Sequence, residues 1–199
     1  MIPVSLQKEP RKFNTRVRQK GHAWLNAAGI ALNAPPPDPS KLPNYWTETN
    51  FDLWERYNGI CAYLAIFFEF ATGASSTDHF VAKSKNAGMA YEWDNYRLSC
   101  LGPNRNKNKF DDVIDPMGMS AEVFFLNLSS GRIKPNPNLK GVQRKLAMAT
   151  IARLDLNSAV NKKMRAKHYS NYVSGQVAVD YLKTHSPFVW YEAQRQNLL

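Results

Sequence analysis

Asp78 and His79 stand side by side in the chain, Asn95 follows, and a run of Asn104, Arg105, Asn106 and Lys107 comes next. A carboxylate beside an imidazole offers a hard oxygen ligand for a cation and a base for a water molecule. Thr77 to Val81 is predicted to be a short strand with this polar pair in its middle, where a core strand has no use for it. Successive strand residues point to opposite faces, so the two side chains can take separate jobs, one as a metal ligand and one as a base aimed at water.

The elements around them follow from local pattern. Ser84 to Ala90 is small and polar and reads as a loop, and Tyr96 to Ser99 supplies a second strand. Pro103 suits the start of a helix. Asn104 falls in its first turn, with Lys107 and Asn108 on the same face. Trp54, Tyr57, Tyr63, Phe67, Phe68 and Phe70 provide core-forming apolar surface. Upstream, Lys8, Arg11, Lys12, Arg16, Arg18 and Lys20 form a basic arm or a solvated helix face. Ala34 to Pro43 reads as a stiff, extended linker. Downstream, Val123 to Leu126 and the turn-rich Ser129 to Gly131 predict a hairpin. Helical spacing at Val142, Leu146 and Ala149, capping residues Asp155 to Ser158, and Pro187 predict a helical C-terminal third.

Strand, loop, strand and helix, with Asp-His on the first strand and Asn at the head of the helix, resemble the HNH nucleases. The stretches that carry the likeness are Cys61 to Leu64, Asp78-His79 through Lys83, Trp93 to Asn95, and Cys100 through Pro103-Asn104 to Lys107. A closer likeness is to bacterial HNH proteins of anti-phage systems such as Septu and certain retrons, to which Leu154-Asp155-Leu156-Asn157 adds a weaker run. The resemblance implies that Asp78 and Asn104 hold one divalent metal, Mg²⁺ or Mn²⁺, that His79 activates water, and that Asn95 braces the loop carrying the histidine. It implies an α+β fold in which a ββα-metal HNH core, residues 46–118, is embedded in a mainly helical single domain. Residues 1–45 are then the basic arm and Pro-rich linker, and 119–199 a hairpin and helical extension.

The chemistry fits that expectation. A carboxylate, an amide oxygen and waters form the oxygen-rich shell that Mg²⁺ accepts, and an imidazole with an ordinary pKa of about 6.5 is partly neutral at cellular pH. Lys107, with Arg105 and Lys83, is expected to hold the phosphate backbone without reading bases. Relatives with two Cys-x-x-Cys pairs clamp a structural zinc. Here Leu64 and Pro103 replace the second member of each pair, so no structural zinc is expected and Cys61 and Cys100 are read as small buried residues.

Blander readings stand beside these. A lone Asp-His pair is weak evidence, and His22, His168 and His185, with no motif around them, read as structural or surface residues. Asp111, Asp112 and Asp115 read as solvated loop charges. The balance of 26 Lys and Arg against 16 Asp and Glu gives a formal charge of +10, which points to a polyanion partner. The partners expected are nucleic acid, DNA first, and an ATPase or other defence subunit. Neither a signal-like segment nor a membrane-spanning stretch is evident, so a cytoplasmic location is expected. The rival to a nuclease is an inert ββα module that binds nucleic acid or docks a partner.

Overall fold

In the computed structural model, which describes all 199 residues, the apolar side chains gather into two compact units, each assembled from separated stretches of chain. One unit comprises Leu6–Gly59 and Glu69–Asp111, the other Met1–Ser5, Ile60–Phe68 and Asp112–Leu199. The mixture is α+β, with seven α-helices and two antiparallel strand pairs. The two units do not follow the segments 1–45, 46–118 and 119–199. The cause is plain in the first of them: Phe13, Val17 and Leu25 are fully buried, so the N-terminal stretch is core rather than a loose arm.

In that unit a π-helical turn, Asn14–Arg18, leads into helix α1, Gln19–Ala27. Phe13 meets Trp93 and Tyr96 edge to face, with ring centroids 5.4 and 5.7 Å apart. Gly21 allows α1 to lie directly on the Tyr91 ring, since a Cβ there would come within 2.1 Å of it. Cations of the turn and the helix are engaged by acids: Arg18 bonds Glu9 and Glu92, and Lys20 bonds Glu48. Helix α2 spans Asn50–Arg56. Strands β1, Ser75–His79, and β2, Tyr96–Cys100, pair antiparallel with Asp78 opposite Arg97 and His79 opposite Tyr96. Strand β1 begins and ends two residues before the predicted segment. Helix α3, Leu101–Lys107, follows β2 without a break. Pro103 is its third residue, where the missing N–H costs no intrahelical bond.

The other unit carries the predicted hairpin, β3 Phe124–Asn127 and β4 Arg132–Pro135. Helices α4 Gly141–Arg153, α5 Ala159–Val173, α6 Val179–His185 and α7 Pro187–Arg195 complete it. Ser158 caps α5 by accepting from the Asn161 amide, and Pro187 opens α7. Asn157 accepts from the Ile133 N–H and donates to the Ile133 carbonyl, both at 2.8 Å, which pins the turn before α5 to the hairpin. The buried Arg165 reinforces this by donating to the Gly131 and Leu156 carbonyls. No helix is long and apolar enough to cross a membrane.

Candidate active site

His79 ends β1, and its imidazole is clasped from three sides. The Trp46 ring lies edge to face at 4.7 Å, Tyr96 at 5.2 Å, and Nε2 is 3.0 Å from the Ala90 carbonyl. A carbonyl oxygen only accepts, so Nε2 carries the proton and Nδ1 keeps its lone pair. The Tyr96 hydroxyl donates to the same carbonyl at 2.8 Å. Burial, followed by the charges of Lys83 and Lys107 and against the Ala90 bond, holds the imidazole pKa down to about 4. The ring is therefore neutral across the physiological range and able to accept a proton, although it is a weaker base than a free histidine.

Asn95 fixes the loop that supplies this carbonyl. Its Oδ1 accepts from the Val81 N–H at 2.7 Å, and its Nδ2 donates to the Val81 and Met89 carbonyls at 3.0 and 2.8 Å. These three bonds join both ends of the loop from Val81 to Ala90, the bracing role implied by the resemblance.

Asp78 is 2% exposed, and a buried carboxylate needs compensation. The Lys107 ammonium supplies it, 3.2 Å from Asp78 Oδ1 and 2.8 Å from the His79 carbonyl. Arg97 stands opposite Asp78 in the strand register, is itself buried, and donates to the Asp94 and Tyr96 carbonyls. Lys107 is wholly buried. Its expected role as a phosphate contact is thus corrected: the amine faces inward because the Asp78 charge and the last carbonyl of β1 draw it there, and it positions the strand.

A cleft of about 560 Å³ opens along these elements. Asp78, His79, Lys83 and Asn104 line it together with Trp46. The Asn104 amide nitrogen sits 3.5 Å from the Thr77 carbonyl, at the outer limit of a hydrogen bond. With its nitrogen turned that way, the amide oxygen is the donor left for a cation. The Lys83 ammonium lies 4.6 Å over the Trp46 ring, a cation–π contact, and partial burial lowers its pKa. Arg105 is exposed on α3 and outside the cleft lining. The structure therefore brings Asp78, His79, Lys83 and Asn104 to one cleft, with Asn95 and Lys107 behind it.

Sequence reasoning missed several contributors. Asp38, Pro39 and Ser40, read as linker, form part of the cleft wall. Asp38 closes a tight turn there, accepting from the Ser40 amide at 2.9 Å and its hydroxyl at 2.6 Å. The Asp-Pro-Ser run was the available signal. Trp46, Arg97 and Tyr96 gave no local sign of their roles, which depend on contacts distant in sequence. Neither cysteine forms a disulfide; Cys61 is buried and its sulfur accepts from the Leu64 N–H at 3.5 Å, while Cys100 is half-buried. No protein-family model and no curated protein sequence matches the chain.

Proposed function

We propose that this chain is a metal-dependent endonuclease of the HNH type, hydrolysing phosphodiester bonds of nucleic acid, DNA in the first instance, with His79 as general base. The observation that carries the reading is the imidazole itself. Its Nε2–H is committed to the Ala90 carbonyl, its Nδ1 is left as the acceptor, and Asp78 and Asn104 line the same cleft. The order β1, loop, β2, α3 supports a ββα-metal core.

The donor set suits a hard cation. Asp78 and Asn104 offer two oxygens, and no cluster of three or more His, Cys, Asp or Glu surrounds them. An ion held there keeps positions for water and phosphate oxygens, which fits Mg²⁺ or Mn²⁺. When bound, the metal supplies Lewis-acid stabilisation of the charge that builds on the phosphoryl oxygens and leaving alkoxide. His79 Nδ1 takes a proton from the water as its oxygen attacks phosphorus and the bond to the leaving alkoxide breaks. The Nε2–H bond to Ala90 strengthens as the ring becomes cationic. Lys107 keeps Asp78 compensated and the strand end fixed, and Asn95 holds the loop bearing Ala90. Lys83 and Arg105 bind backbone phosphates. An effector role in anti-phage defence, with an ATPase or other subunit as partner, rests on motif likeness alone.

One observation favours a second reading. Lys107 already compensates Asp78 without a metal, which suits an inert ββα binding module. Nicking of supercoiled plasmid, and cleavage of DNA and RNA oligonucleotides, with Mg²⁺ or Mn²⁺ separates the two. Cleavage silenced by EDTA, and slowed about 10²- to 10⁴-fold in a folded His79→Ala variant, is the expected result. Wild-type turnover in that variant would overturn the mechanism, and binding without cleavage of any substrate would select the inert module.

A further inference from the structure

In the unit that lacks the cleft, a cavity of about 230 Å³ is lined by His168, Asn171, His185 and Ser186 with apolar neighbours. His168 and Asn171 lie three residues apart on α5 and so share a face. The Asn171 Oδ1 is buried and has no hydrogen-bond partner. A buried amide oxygen left in that state costs roughly 1–3 kcal/mol, which a donor or a cation would recover.

Both imidazoles are oriented through Nδ1. His185 Nδ1 lies 3.2 Å from the Tyr181 carbonyl and 2.9 Å from the Thr184 hydroxyl, which in turn reaches the Asp180 carbonyl at 2.9 Å. Since Tyr181 can only accept, Nδ1 bears the proton and Nε2 is the basic nitrogen. The ring is also held in plane by stacking on Tyr181 at 3.9 Å. His168 Nδ1 is paired with the Ser186 hydroxyl; with Nδ1 as the donor of that bond, Nε2 is the basic nitrogen. Imidazoles that ligate metals commonly hand their other ring N–H to a carbonyl or hydroxyl in this manner.

We propose that His168, His185 and Asn171 form a binding site for a borderline divalent cation such as Zn²⁺ or Co²⁺. Two imidazole nitrogens and one amide oxygen suit such an ion better than Mg²⁺, which prefers an all-oxygen shell, and water completes the coordination. The bound ion ties α5 to the junction of α6 and α7. It involves neither cysteine, so it differs from the zinc clamp whose Cys-x-x-Cys pairs are incomplete here. It is independent of the nuclease proposal.

The test is a Co²⁺ titration of the full chain after chelator treatment, in millimolar Mg²⁺ to occupy oxygen-rich sites, followed by visible absorption. One Co²⁺ per chain is expected, with a rise in melting temperature when Zn²⁺ is added. His185→Gln, at a half-exposed position that spares the core, should weaken Co²⁺ binding at least about tenfold and abolish the rise. Asn171→Leu should weaken it too, and Cys61→Ser should leave it unchanged. Absence of stoichiometric binding, or equal Co²⁺ affinity in wild type and folded His185→Gln, would overturn the site.

Discussion

The ion pair of Asp78 and Lys107 is the residue-scale feature on which the nuclease reading turns. Removing one member of a buried pair leaves the other's charge under-compensated, at a cost of up to about 3–5 kcal/mol. Lys107→Met should therefore lower the melting temperature strongly in EDTA. If Asp78 ligates a metal, Mg²⁺ can take over as the compensating charge, so part of the loss should return when Mg²⁺ is added. It should not return in Asp78→Asn/Lys107→Met, and thermal melts of both variants with and without Mg²⁺ check this. Loss with no Mg²⁺-dependent recovery would remove Asp78 from the metal site. At this scale the sequence was most informative where chemistry and local spacing coincide. Asp78 and His79 announced themselves as polar residues within a strand, and Asn95 through the resemblance to the HNH pattern. Lys107 was legible as a cation but not as a buried one, because its inward turn is set by Asp78, far away in the chain. Trp46 looked like any core aromatic, since only the folded contact with His79 distinguishes it.

Among the elements, the approach of the hairpin to α5 depends on one glycine. Gly131 has φ +65°, and a Cβ added there would lie 2.0 Å from the Lys162 carbonyl oxygen. Gly175 has a comparable φ of +73° with nothing within 4 Å. Alanine at 175 should thus cost only the left-handed strain, about 1–2 kcal/mol, whereas at 131 the clash with backbone adds about 1–3 kcal/mol more. Urea unfolding of Gly131→Ala and Gly175→Ala measures the difference, and equal losses would show that the hairpin does not press on α5. The hairpin itself was readable from Val123 to Gly131 because a short apolar run and turn residues are local signals. The Pro-rich stretch was misread for the opposite reason. Its prolines do not continue an α-helix, and only a short 3-10 turn forms at Pro39–Lys41, but whether such a segment spans a gap or walls a cleft is decided by what it packs against. The run Leu154 to Asn157, noted in sequence as a motif, acts as the turn that Asn157 and Arg165 fasten to the hairpin.

For the whole molecule, charge is the property the sequence states most directly, and the fold redistributes it. Arg165 is buried, so it leaves the solvent-facing basic set of α5, which reduces to Lys162, Lys163 and Lys167. In the N-terminal stretch Arg16, Arg18 and Lys20 are paired with acids, leaving Lys8, Arg11 and Lys12 exposed without an ion pair. If nucleic acid binds these surfaces, neutralising either trio should weaken DNA binding and flatten its dependence on log salt by up to roughly 3 units, about 0.9 for each phosphate no longer neutralised. Fluorescence anisotropy across a salt series is the measurement, and unchanged slopes in both variants would assign the basic surfaces to another partner.

The interleaving of the two units also sets an order of events during synthesis. Every residue of the cleft-bearing unit has been made once Asp111 is added, whereas the other unit needs the chain as far as Leu199. Domains fold as their residues become available on the ribosome. The cleft can therefore be complete on a nascent chain while the helices α4 to α7 are still being translated, so the site precedes the second unit.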